Sequence, residues 1–96
     1  MASIEVMKER ARIAGRFKLS ARRNPEHRAL VTLAAQRAGG ECHVIPVAPG
    51  EDEADVLDRA RKVADGKPVI IVTEADGKLS ARIMGSDDMK IGRAHV

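Results

Sequence analysis

The chain has 96 residues, 44% of them apolar, and a formal net charge of +3 at neutral pH. That length leaves room for one hydrophobic core, and the core must be aliphatic, because the chain has one Phe and no Trp or Tyr. A ladder of aromatic faces for stacking bases is excluded on that ground, and a single cysteine, Cys42, excludes an internal disulfide and a cysteine-clustered zinc site.

Ser3 is placed to cap a first helix running to about Leu19, with Val6, Met7, Ile13, Ala14 and Phe17 on one side at helical spacing. Arg10 falls inside that stripe, where a long stem snorkels past the edge of a core. On the opposite side Lys8, Arg12 and Arg16 recur in steps of four beside Glu5 and Glu9. Ser20 to Arg23 reads as a tight turn. Asn24-Pro25 then starts a second helix, with Asn as cap and Pro in the first helical position, and Gly39-Gly40 ends it. Its apolar face holds Leu30, Val31, Ala34, Ala35 and Ala38 and includes His27, so residues 1–38 are expected to form a basic helical hairpin.

Val44, Ile45 and Val47 predict a strand, and Pro46, which has no N–H to give a ladder, sends it to a sheet edge. In "EDEADVLDRARKVADG", residues 51–66, the stripe Val56, Leu57, Ala60, Val63 and Ala64 predicts a helix of about 14 residues. Acids crowd its first turn and Arg59, Arg61 and Lys62 its last two, which complements the helix dipole. The run Val69 to Val72 is apolar at every position and suits a strand covered on both faces, whereas Leu79, Ala81 and Ile83 alternate with Lys78, Ser80 and Arg82 as in a strand with one wet face. Asp76-Gly77 between them is a hairpin turn.

The expectation is one α+β domain over 1–96: the helical hairpin, then a β-α-β-β unit over 41–85 and a tail over 86–96. The strand before the acidic helix pairs parallel to the central one through a right-handed crossover, giving a small three-stranded mixed sheet in the order 1-2-3. The tail alternates weakly, enough for a short fourth strand or a frayed end.

No constellation for catalysis emerges. Cys42 and His43 are adjacent on a strand and point to opposite faces, so they form no dyad with each other. His27 reads as a half-buried histidine with its bonding satisfied, and His95 lies in the tail. Glu51, Asp52, Glu53, Asp55 and Asp58 lack the spacing and the glycine of a calcium loop. Gly39-Gly40 follows a helix and precedes a strand, the reverse of a phosphate-cradling turn. The chain is therefore read as a protein that is not an enzyme and has no metal and no cofactor. No stretch approaches the length of a signal peptide's apolar run or of a membrane span, which leads to the expectation of a cytoplasmic protein without membrane contact.

The charge division is the remaining signal. Residues 1–38 carry nine Lys/Arg against three Asp/Glu, and residues 39–96 carry eight against eleven, so an excess of six positive charges at one end faces a deficit of three at the other. Such asymmetry points to an anionic partner for the basic half, with Lys8, Arg12, Arg16, Lys18, Arg22, Arg23 and Arg28 as its candidate contacts. Two functions from different classes fit. One is a small binding protein of the kind phages and mobile elements encode as accessories or inhibitors, gripping a host protein or nucleoprotein complex through its basic helices. The other is direct binding of DNA or RNA through the phosphate backbone. The last strand, with Lys78, Ser80 and Arg82 on its wet face, is expected to be a free edge available for a homodimer.

Overall fold

A strand with four apolar residues in succession is stable only where both its faces are dry, and Val69, Ile70, Ile71 and Val72 are each 3% exposed or less. The computed structural model describes residues 3–85 and arranges the chain around that strand. Helix α1 (Ile4–Arg23) and helix α2 (Pro25–Ala38) come first, then strand β1 (His43–Val47), helix α3 (Glu53–Ala64), β2 (Val69–Ala75) and β3 (Lys78–Met84). The sheet has the order β1-β2-β3, with β1 parallel to β2 and β3 antiparallel to it. The α+β architecture and strand order expected from the sequence are thus present. The segment 86–96, read as a frayed end or a short strand, lies outside the described residues.

The two faces of β2 belong to two clusters. On one, Val69 and Ile71 join Ile45, Met84 and the α3 residues Val56, Ala60 and Ala64. On the other, Ile70 and Val72 meet Ile13 and Phe17 of α1 and Ala34 of α2. Alanines at 34, 60 and 64, all buried, let the helix backbones approach the sheet closely. The stripe on α1 packs over only part of its length, since Met7 is 57% exposed.

The turn between the helices differs from the expectation. Helix α1 continues past Leu19 to Arg23, and Asn24 alone separates it from α2. Nothing in Ser20-Ala21-Arg22-Arg23 breaks a helix, and Arg22 and Arg23 favour a helix C-terminus. The break falls at Asn24 because the residue before a proline is pushed out of the helical region; its φ of −95° and ψ of 115° are extended. Asn24 serves both helices: its N–H donates to the Ser20 carbonyl at 2.7 Å, and its side chain accepts from the Glu26 N–H at 2.9 Å.

Ile70→Ala empties a site in contact with α1 and is expected to cost about 3 kcal/mol. Followed by circular dichroism, that loss lowers the thermal midpoint by roughly 15 °C. Ser80→Ala, on the exposed side of β3, is expected to stay within about 0.5 kcal/mol of the parent.

Candidate anion-binding site

Four arginines are held by carboxylates from other elements. The Arg10 Nε donates to Glu51 Oε1 at 3.0 Å and its Nη2 to Oε2, Arg59 Nη1 donates to Oε2 at 3.0 Å, and the Ala48 N–H adds a further bond to Oε1 at 2.9 Å. Arg12 lies between Glu9 and Glu74, with Nη2 at 2.6 Å from an oxygen of each. Arg16 pairs with Glu74 as well and donates to the Gly77 carbonyl at 3.0 Å. Arg10 therefore ends its snorkel in a bidentate ion pair. Glu51, read from the sequence among the acids of a helix start, is instead the clamp that fixes α1 against the β1–α3 connection.

The protonation equilibria follow these contacts. The Arg10 hydrogen bonds, aided by the Ala48 N–H and Arg59 against the opposing effect of burial, hold the Glu51 carboxyl well below its ordinary 4.5, at about 2. Glu9 is lowered and Arg12 raised, each chiefly by their mutual hydrogen bond.

The other cations stay outward. Lys8, Lys18, Arg22, Arg23, Arg28 and Lys78 are all exposed, and none forms an ion pair within the described residues. The fold gathers some of them around an open groove of about 540 Å³. Arg16 and Arg23 flank it on α1 with Leu19, while Lys78 and Leu79 bound it from the start of β3. Ser20, Asn24 and His27 complete the lining. Lys18, Arg22 and Arg28 surround the same helix turn without lining the groove, and Lys8 and Arg12 belong to the earlier part of α1. Ser80 and Arg82 lie farther along β3, on its exposed side. Lys78, read from the sequence only as part of a sheet edge, is thus the member of the basic group that local spacing did not reveal.

No acidic side chain lines this groove. A second groove, of about 710 Å³, between α1 and α3, is balanced instead, with Arg10, Arg59 and Lys62 facing Glu51, Asp55 and Asp58. His27 is 8% exposed, shares a hydrogen bond of 2.6 Å between its Nδ1 and Ser20 Oγ, and packs against Phe17 with ring centroids 5.2 Å apart. It serves as part of the groove's structure. Burial pushes the Cys42 thiol up, and its Sγ–H donates to the Pro68 carbonyl at 3.1 Å, which disfavours the thiolate a nucleophile requires. Among the described residues no three His, Cys, Asp or Glu side chains gather as a metal site requires, and no helix is long and apolar enough to cross a membrane. No family model matches the chain, and neither a curated protein nor a solved structure is significantly similar to it.

Because folding lowers the Glu51 pKa, its stabilisation is complete above the ordinary 4.5 and is lost as the pH falls toward 2. Glu51→Gln leaves Arg10 and Arg59 without their shared charge and is expected to cost about 2 to 3 kcal/mol at neutral pH. Urea titrations across that acid range check it, since the gap between variant and parent should close as the pH falls.

Proposed function

We propose that this is a non-catalytic binding protein that docks an anionic partner at the corner where the α1–α2 turn meets the β2–β3 hairpin. The observation that carries the reading is the groove lined by Arg16, Arg23 and Lys78 without one acidic side chain. Arg16 is offset by Glu74, whereas Arg23 and Lys78 have no ion pair among the described residues, and like charges held close together around a concave surface repel one another unless a partner's negative charge offsets them. Leu19, 62% exposed among these cations, adds an apolar contact that a phosphate backbone would not use. The preferred partner is therefore a protein surface with carboxylates around an apolar side chain, as an accessory or inhibitory protein would meet on a host protein or nucleoprotein complex.

Direct binding of DNA or RNA is the second reading. It is favoured by the outward Arg22 and Arg28 beside the same turn, which widen the basic surface beyond the groove. With Phe17 buried, such binding rests on backbone phosphates and carries little sequence preference.

Fluorescence anisotropy with polyglutamate, duplex DNA and single-stranded RNA separates these readings at about 50 mM and about 200 mM salt. Arg23→Glu combined with Lys78→Glu, both at positions without an ion pair among the described residues, is expected to weaken polyanion binding at least tenfold with the fold intact. Preference for polyglutamate supports the protein partner. Preference for either nucleic acid, with log affinity falling by about 0.9 (duplex) or about 0.7 (single strand) per contacted phosphate for each unit of log salt, selects the second reading. Absence of binding to all three at the lower salt overturns both.

A further inference from the structure

The two edges of the sheet are not equivalent. On β1, Pro46 has no N–H to offer and its carbonyl already accepts from Arg59. β3 has no proline, its seven residues pair one-to-one with β2 without a bulge, and among the described residues no strand pairs with its outer side, which is a regular edge.

The hairpin turn fixes which backbone groups that edge presents. Asp76 and Gly77 both have positive φ, 52° and 77°, as a two-residue type I′ turn requires. In such a turn the carbonyl of Ala75 accepts from the N–H of Lys78, which therefore faces β2. Backbone polar groups alternate along a strand, so Lys78, Ser80 and Arg82 turn theirs toward β2, and Leu79, Ala81 and Ile83 direct N–H and C=O away from the sheet. The side chains of these same three residues are only half-buried.

We propose that β3 pairs antiparallel with β3 of a second copy about a two-fold axis at Ala81, forming a continuous six-stranded sheet. In that register Leu79 lies opposite the partner's Ile83, Ser80 opposite the partner's Arg82 and Lys78 opposite the partner's Met84. All seven residues are paired, and apolar side chains meet across the axis. Moving the axis to Ser80 sets Lys78 against the partner's Arg82, and moving it to Arg82 sets that arginine against its own copy, both unfavourable like-charge pairs. The strand is thus complementary to itself in its longest register and not in the two adjacent ones. Helix α2 packs on both β2 and β3. A helix seated midway between those two strands lies about one strand spacing from the two-fold axis, which would set the α2 helices of the two copies about 10 Å apart, a distance at which helices pack. Lys78 and Leu79 belong both to this edge and to the lining of the basic groove, and chain mass rather than anion binding is what tests the pairing.

Light scattering and sedimentation of the full chain test the proposal, with two variants. The parent is expected to have the mass of two chains at high micromolar concentration. Ala81→Pro removes the outward N–H at the axis, leaves the bonds to β2 in place, and is expected to weaken association at least tenfold. Ser80→Glu sets a carboxylate opposite the partner's Arg82 twice, in the closely spaced non-hydrogen-bonded positions, and is expected to tighten association about fivefold. With the axis at Ser80 the same variant would face itself and weaken association. A single-chain mass for the parent overturns the proposal, as does association that a folded Ala81→Pro leaves unchanged or that Ser80→Glu leaves unchanged or weakens. Should circular dichroism show Ala81→Pro unfolded, the parent's mass and the response to Ser80→Glu decide the matter.

Discussion

Val69, Ile70, Ile71 and Val72 alternate between the two faces of the sheet, and all four are withdrawn from water. Burying four such side chains contributes roughly 6 to 12 kcal/mol, comparable with the whole net stability of a small domain. A single layer of helices would leave two of them wet, so the chain must cover both faces. Helix α3 does so on one side through Val56, Ala60 and Ala64, and the α1–α2 pair does so on the other through Ile13, Phe17 and Ala34. The basic corner is a consequence. Once α1 lies over β1 and β2 while α2 lies over β2 and β3, the turn joining the helices reaches the start of β3, and Lys78 joins Arg16 and Arg23.

Two groups of cations do different work. Arg10, Arg12, Arg16 and Arg59 tie elements together through Glu51 and Glu74, two carboxylates whose side chains are 7% and 11% exposed. Lys18, Arg22, Arg23, Arg28 and Lys78 form no ion pair among the described residues. The basic helical pair is therefore not wholly released for binding. Arg10, Arg12 and Arg16 clamp α1 to the rest of the domain, and most of the outward charge of the pair lies toward the turn. Arg16 belongs to both groups, since it holds Glu74 while its side chain, 40% exposed, borders the groove.

The fold was legible where the pattern is local. The unbroken run at 69–72, the alternation at 78–84 and Asp76-Gly77 specify a hairpin and a doubly covered strand through side-chain period alone. Asn24-Pro25 marked the second helix but also the end of the first, because one residue before the proline bears the whole break. The ion pairs were hidden for a different reason. Arg10 and Glu51 are 41 positions apart and Arg12 and Glu74 are 62 apart, so no helical or strand spacing relates them. Glu51 read as a helix-start acid because its local sequence is acidic, yet the cap of α3 is Asp52. Likewise the groove needs Lys78 from the third strand beside Arg23 from the first helix, a meeting set by tertiary packing.

Native-state hydrogen exchange tests most directly whether the doubly covered strand governs the rest. The amides of Val69 to Val72, together with those of Ile13 and Phe17 in α1, should exchange only through global unfolding, with one free energy and one dependence on denaturant. Exchange of the α1 amides through a lower-energy opening that leaves β2 protected would contradict the account, because the helical pair would then be an appendage rather than one wall of the core.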